Sequence, residues 1–492
     1  MLSILSMQAE ISLVVIMVLL LLADLMLKEP HHKTLQTLAC VLMAVQIIIN
    51  IVPSEAELFG GMYHSTKISS VVKTILTAGT LLVFMQSGQW LSQKGTSHKA
   101  GEFYVITIST LIGMYFMVSA GSFILFYVGL ELASIPMACL ISFDKWKHHS
   151  AEAGAKFILN SMFSSGLMLY GLSLIYGSCG TTYFSDLAGT LTGTPLQILA
   201  MVFFFAGLGF KLSLVPFHMW TPDTYHGAPT AVTGYLSVIS KGAAAFTLMS
   251  ILVKVFGTMS SDWHLMLSVV IVVTITIANI FAILQSNLKR FMAYSSISQA
   301  GYIMLAALAG NTQGMSSLIY YVVVYIAANL AVFGVIGAVE QNAISGTRVG
   351  NNDNTLTKSE EEEISDSCVD RSAYNGLYKT NPKLTFVMTI ALFSLAGIPP
   401  FAGFFSKFFV FASAFNGGHW LVVFLALVNT IISLYYYLLV VKAMYITPNE
   451  KPLPWFRSPA LTRVSLFICL IGIIILGLCS SVYEIINFYA GA

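Results

Sequence analysis

Residues 207–220 read GLGFKLSLVPFHMW. One lysine, Lys211, stands in a run of apolar and small residues, with Pro216 and His218 close behind. A charge at membrane depth is costly, and it usually faces a bundle interior or a water-filled cavity. Whether this stretch lies at such a depth is decided by the rest of the chain. Of 492 residues, 57% are hydrophobic and 9% charged, against about 25% charged in soluble domains. Mean hydropathy is +0.80. The composition therefore predicts an all-α polytopic membrane protein.

A membrane helix needs about 20 mostly apolar residues. Working outward from 207–220, fourteen stretches qualify, near 8–27, 34–53, 69–92, 103–119, 121–142, 154–176, 196–217, 228–254, 264–284, 293–311, 315–339, 383–414, 420–444 and 461–487. The first follows Glu10, with no basic region before it and no small-residue cleavage site after it, so it reads as a helix and not a signal peptide. Loop charges support the count. Seventeen basic residues, among them Lys28, Lys94, Lys289, Arg290 and Lys451, fall in loops of one parity. Three, Lys67, Lys73 and Lys254, fall in loops of the other. The rich side is expected to be cytoplasmic, with both termini on the periplasmic side. The segment 340–382 contains SEEEEISDSCVD and reads as a mobile, acidic cytoplasmic insert. The net charge of +2 offers nothing to nucleic acid,. The six cysteines form no CxxC, which argues against a disulfide framework or a metal centre,.

Four basic residues remain inside predicted helices: Lys156, Lys211, Lys241 and Lys407. Glu131, in FYVGLELASIP, is a buried carboxylate that invites a lysine partner,. Lys156 is near a helix start, where snorkelling to the interface is an equal alternative. Burial lowers the proton affinity of a lysine and a nearby carboxylate raises it, so lysine can exchange protons where arginine cannot. Pro216 lies near Lys211, and Gly397-Ile398-Pro399-Pro400 precedes Lys407. These prolines predict that the seventh and twelfth helices are broken, the double proline being the firmer break, although a harmless kink is the alternative. Helices 4–8 and 9–13 then form two units of five, which enter the membrane from opposite sides as inverted repeats. The resulting divisions are a three-helix region (1–102), the first repeat (103–254), the second repeat with its insert (255–444) and a C-terminal helix (445–492).

GLGFKLSLVPFHMWTPDTYHGAPTAVTGYLSVISK (207–241), SNLKRFMAYSSISQAGYI (286–303), YNGLYKTNPKLTF (374–386) and SLAGIPPFAGFFSKFFVF (394–411) resemble the antiporter-like membrane subunits of respiratory complex I, the NADH–quinone oxidoreductase. The resemblance covers helices 4–13. It implies a fourteen-helix, proton-passing subunit in the membrane arm of a bacterial inner-membrane complex, beside other antiporter-like subunits. It implies no cofactor or metal in this chain; NADH, FMN, iron–sulfur clusters and quinone are expected in partner subunits. Carried over by position, Glu131 and Lys211 form a coupled pair, Lys241 is the central lysine, Lys407 the exit-side lysine, and Lys156 a sixth-helix lysine. Lys407 sets the chain apart from a sibling subunit that has glutamate there. Gln299 stands where many relatives have histidine, and it cannot titrate.

His218 and His226 are candidates for the cytoplasmic inlet, or else interfacial histidines bonded to backbone. Tyr294, Ser295, Ser296 and Ser298 either line a water path or satisfy helix carbonyls. Three other functions stay open: a subunit of a sodium/proton antiporter, a structural or assembly subunit with an inactive channel, and a stand-alone transporter.

Overall fold

The computed structural model describes residues 4–27, 32–53, 55–93, 95–350, 358–449, 453–479 and 481–491. Lys28, Lys94, Lys451 and 351–357 of the acidic insert lie outside them. The N-terminal region consists of α1 (Gln8–Met26), α2 (His32–Ile51), a hairpin of β1 (Ala56–Leu58) and β2 (Tyr63–Ser65), and α3 (Lys67–Leu91). Then follow α4 (Ala100–Val118), α5 (Phe123–Ile141), α6 (His148–Cys179), the short α7 (Phe184–Thr190), α8 (Pro195–Leu212), α9 (Trp220–Gly227), α10 (Thr230–Tyr235) and α11 (Lys241–Lys254). One π-helical turn, Leu236–Ser240, joins α10 to α11. The second half comprises α12 (Ser260–Ile283), α13 (Leu288–Leu305), α14 (Thr312–Gly350), α15 (Lys358–Cys368), α16 (Leu377–Thr380), α17 (Pro382–Ala396), α18 (Ala402–Asn416) and α19 (Trp420–Tyr445). The last helices are α20 (Ala460–Leu478) and α21 (Ser481–Gly491).

Twelve of the described segments are long and apolar enough to cross a membrane. Two expected spans fall outside that set for physical reasons. Helix α13 carries Lys289 and Arg290 in its first turn and Ser295, Ser296, Ser298 and Gln299 at its middle. The pair α17/α18 is divided by its break. The expected single span at 461–487 is two helices, interrupted after Leu478.

Burial separates axis from rim. In α10–α11 and in α14, 89% of the apolar window is buried, against 28% in α1 and 33% in α20. The two buried segments are the centre, and peripheral helices turn apolar side chains such as Leu22, Val128 and Phe467 outward. That arrangement suits a lipid environment. Small residues set the close approach of α4 to α5: a Cβ on Gly113 would lie 2.4 Å from the Ala133 nitrogen, and one on Gly129 2.8 Å from the Gly113 carbonyl oxygen,.

Both helix breaks are present, and protein groups satisfy their freed polar atoms, as membrane depth requires. At 213–219 the Phe210 carbonyl accepts from Trp220 Nε1 (3.1 Å), Val215 N donates to Thr274 Oγ1 (3.0 Å), and Thr221 Oγ1 donates to Ser213 Oγ (2.7 Å). At 397–401 Gly397 takes φ +87°, and Gly403 N donates to Ser394 Oγ (3.1 Å). The break at Pro216 spans 213–219 and that at the double proline 397–401.

The acidic insert is not a loose loop where it is described. Helix α14 runs on to Gly350, and α15 docks on the bundle: Glu362 accepts from the His149 backbone N–H (2.9 Å) and Ser365 Oγ donates to Glu340 (2.5 Å). Helix formation pays for itself here because the carboxylates find donors at the start of α6. Lys73, counted as a loop charge, is buried in the second turn of α3.

Candidate functional site

Lys211 lies in the last turn of α8, where the helix dipole favours a cation,. Its side chain is buried and reaches α5, donating to Ser134 Oγ (2.7 Å) and more weakly to the Ala133 carbonyl (3.4 Å). Glu131 sits one turn earlier on α5, half-buried, with Oε1 bonded to no protein group. No ion pair of 4.0 Å or less joins Glu131 to Lys211 among the described residues; Lys211 is held by a hydroxyl, with Glu131 close by on the helix that carries it.

Lys241 begins α11 directly after the π turn. A π turn inserts one extra residue and re-aims the side chains beyond it. Lys241 Nζ donates to Ser296 Oγ of α13 (2.8 Å) and lies 5.6 Å from the centre of the Tyr225 ring, whose hydroxyl also meets Ser296 (3.1 Å). A cation over a desolvated ring gains on the order of 2 kcal/mol. Ser237, inside the π turn, accepts from Asn329 Nδ2 of α14 (2.8 Å).

Lys407 closes the row. Its amine donates to the Leu395 (3.0 Å) and Ala396 (3.1 Å) carbonyls, the free end of half-helix α17, and stands 5.0 Å from the Tyr302 ring centre. Gln299 links it to the middle. Gln299 Nε2 donates to the Leu395 carbonyl (3.2 Å) and Tyr437 OH (3.1 Å), while Tyr321 OH donates to Gln299 Oε1. Tyr437 OH meets Ser295 Oγ at 2.5 Å. Polar side chains therefore run from Ser295 through Tyr437 and Gln299 to the carbonyl that holds Lys407, and Ser296, the partner of Lys241, is the next residue along α13. A small cavity lies against Gln299, Tyr321, Ser394, Ser406 and Lys407. Ser240 Oγ, Ser298 Oγ and Tyr325 OH are buried with no protein partner, the kind of atom that ordered water satisfies,.

The remaining candidates sit elsewhere. Lys156 is 42% exposed and contacts Asp223 (2.6 Å) and Glu152 (2.7 Å), with Arg290 on the other Asp223 oxygen: an ion cluster at the rim, not part of the row. His218 is buried in the first break with Nδ1 unpartnered. His226 instead faces α15, where Asp366 contacts both His226 and His149 (3.4 Å each). Burial works to raise the Asp366 carboxyl, and the hydrogen bond from His226 with the neighbouring charges outweighs it, holding the carboxyl below its ordinary range. Tyr294 stacks on Phe281. Among the described residues the metal-like grouping His148, His149 and Glu152 is surface-exposed, and Glu152 is occupied by Lys156.

Sequence reasoning missed the groups against the lysines, Ser134, Tyr225 and Tyr302, and Tyr437, which joins Ser295 to Gln299. It also missed the buried pair of Lys289 (α13) and Glu340 (α14), 3.6 Å apart, with Thr230 and Ser365 donating to Glu340. Nearby Asp144 accepts from Trp90 Nε1 (3.2 Å), and burial pushes its carboxyl up.

Residues 120–433 match the family described as NADH:quinone oxidoreductase/Mrp antiporter, transmembrane. The chain is 62% identical to NADH-quinone oxidoreductase subunit N of Phocaeicola vulgatus, over 99% of this chain and 98% of that protein. It is 48% identical to the protein of the same name from Azobacteroides pseudotrichonymphae, over 98% and 96%. A chain in respiratory complex I from Thermus thermophilus superposes with TM-score 0.77 at 28% identity, covering 96% and 97%. A chain in the Mrp complex from Dietzia shares the fold, with TM-score 0.84 at 19% identity, covering 99% and 97%.

Proposed function

The chain belongs to the NADH:quinone oxidoreductase/Mrp antiporter transmembrane family, and within it to the subunit N branch of NADH-quinone oxidoreductase; on that premise we propose that it carries protons along Lys241 and Lys407 under the control of Lys211. As a membrane subunit of a respiratory complex it works beside other membrane subunits. One observation carries the proposal. Of the five buried lysines among the described residues, Lys211, Lys241 and Lys407 are held by hydroxyls or carbonyls with no carboxylate within 4.0 Å, whereas Lys73 and Lys289 each pair with one. An amine held in this way can both keep and surrender a proton; a carboxylate beside it would hold the proton more firmly.

The proposed path starts on the basic-rich, cytoplasmic side, reaches Lys241, passes through Ser296, Ser295, Tyr437 and Gln299 with bridging water, and reaches Lys407. From there the proton leaves to the periplasmic side. Glu131 and Lys211 act as the switch. When the pair opens, the Lys211 charge loses its compensation by Glu131 and acts on Lys241 as a like charge, favouring proton transfer away from it. Energy arrives from partner subunits, where NADH, FMN, iron–sulfur clusters and quinone do the redox chemistry; this chain supplies no redox centre. The same reading takes fourteen membrane traverses in a bacterial inner membrane, both termini periplasmic, and inverted repeats that place Lys211 and Lys407 at equivalent breaks.

Sodium/proton antiport is the second reading, favoured by the shared fold with the Mrp chain. Hard cations prefer oxygen cages, and the centre of this row is lined by amines. The test is the purified complex in proteoliposomes. Lys241→Met is expected to lower the protons moved per NADH oxidised, with no dependence on sodium. Full pumping by the assembled variant contradicts the proposal, and a sodium-dependent loss favours antiport.

A further inference from the structure

Asp144, in the turn between α5 and α6, is a buried acid that the row of lysines does not use. It is 3% exposed. Its Oδ2 accepts from Trp90 Nε1 (3.2 Å) and lies 3.7 Å from Lys147 Nζ. Its Oδ1 is buried and bonded to no protein group among the described residues. An ionised carboxylate only accepts, and leaving one of its oxygens bare inside protein is costly. A protonated carboxyl has a donor to offer at that place. Packing does not call for an acid here. Holding Trp90 takes one carbonyl-type oxygen, which asparagine would supply as well.

Asp144 lines a cavity of about 20 Å³ at the basic-rich face of the chain. A space of about 10–15 Å³ is enough for one water. The other buried groups on this cavity are the paired Lys289 and Glu340. Lys147, His149 of α6, His226 of α9, and Glu362 and Asp366 of α15 complete its titratable lining. Asp366 lies 3.4 Å from each histidine, and Asp366 and His149 are 42% and 44% exposed. Glu362 is taken by the His148 and His149 backbone N–H groups. A buried acid and groups that solvent reaches therefore share one water-sized space. Burial is the largest influence on Asp144 and pushes its carboxyl up; Lys147, the Trp90 hydrogen bond and Lys289 act against it, and Glu340 acts with it,.

We propose that Asp144 is the proton-loading group at the basic-rich mouth of this chain, holding one proton on Oδ1 and exchanging it through one water in the cavity with the rim formed by Asp366, His149 and His226. The inference rests on the proton-carrying reading of this chain. The step balances without an electron. Hydronium in the cavity gives one proton to the Asp144 carboxylate, an O–H bond forms at Oδ1, and a water molecule is left. The reverse step releases the proton to the same water.

The proton can be read directly by infrared difference spectroscopy of the purified complex at neutral pH. Wild type minus Asp144→Asn is expected to show one protonated-carboxyl C=O band, which shifts in heavy water because the rim is open to solvent. In Asp144→Glu, which keeps the acid, the band is expected to move and not to vanish. Carboxylate bands in place of the C=O band, or a C=O band unaltered in both variants, overturns the inference. Should Asp144→Asn not assemble, wild type minus Asp144→Glu carries the same decision. Protons moved per NADH oxidised are then counted in proteoliposomes, beside Lys241→Met. The expected result is a loss in Asp144→Asn that Asp144→Glu restores. Full pumping in Asp144→Asn with a clear loss in Lys241→Met overturns the loading role and leaves the parent reading standing. Full pumping in both removes the parent reading as well.

Discussion

Lys241 and Lys289 are both buried, yet they are held in opposite ways. Lys241 Nζ meets a serine hydroxyl and an aromatic ring. Lys289 Nζ meets the Glu340 carboxylate, which is itself braced by Thr230 and Ser365. The same contrast divides the other lysines. Lys211 and Lys407 resemble Lys241, whereas Lys73 and Lys156 have carboxylates like Lys289. A carboxylate partner stabilises the charged amine and fixes it in place, while a hydroxyl or carbonyl partner leaves the proton exchangeable. By this criterion the central row is built for transfer and Lys289–Glu340 for holding α13 to α14.

The contrast can be broken from the paired side first. Lys289→Met strands a buried carboxylate and is expected to cost about 3–5 kcal/mol, seen as a fall in the thermal stability of the complex. Adding Glu340→Gln should recover most of that loss; if the single variant is as stable as wild type, Lys289 is not a structural partner. From the other side, Ser296→Asp gives Lys241 the counter-charge that Lys289 has. An opposite charge at this range makes a lysine hold its proton more firmly, so proton release is expected to slow by roughly 10- to 1000-fold. Unchanged pumping in Ser296→Asp would erase the distinction between the two lysines.

Smaller effects sharpen it. Ser134→Ala removes the hydroxyl on Lys211, worth about 1.5–3 kcal/mol for a bond to a charged group. The amine is then expected to move toward Glu131 and pumping to fall with the pair closed, which a structure of the variant checks. Least of all, Asp366→Asn weakens the docking of α15 by about 0–1 kcal/mol, as for other partly exposed pairs, read as faster hydrogen exchange over 360–368. The pH dependence has a definite sign. The Asp366 carboxyl is held below its ordinary range in the folded protein, so its contribution is complete above the unfolded aspartate value of about 3.9 and is lost as pH falls through the lower folded value. Exchange protection that rose on acidification would contradict this.

The row of lysines was legible in the sequence because each interrupts an apolar run, and the double proline announced the break before Lys407. Their partners were not. Serine and tyrosine are common in membrane helices, and nothing in SSISQAGY says which hydroxyl meets Lys241 or that Gln299 bridges Tyr437 to the end of α17. Lys73, Glu10 and Lys289 were read as boundary charges because a hydropathy pattern ends a helix at its charges. Only the packing shows that α3 and α13 begin earlier than read and that all three side chains are buried. Composition likewise made the acidic insert a free loop, while the donors that dock α15 come from α6 and α9, distant in sequence.

The most direct test replaces Lys241 with arginine in the whole complex and counts protons moved per NADH oxidised in sealed proteoliposomes. Arginine keeps the charge and much of the volume, yet it does not give up its proton. The account predicts an assembled complex that oxidises NADH but has lost this subunit's share of the pumped protons. Pumping at the wild-type ratio would contradict it.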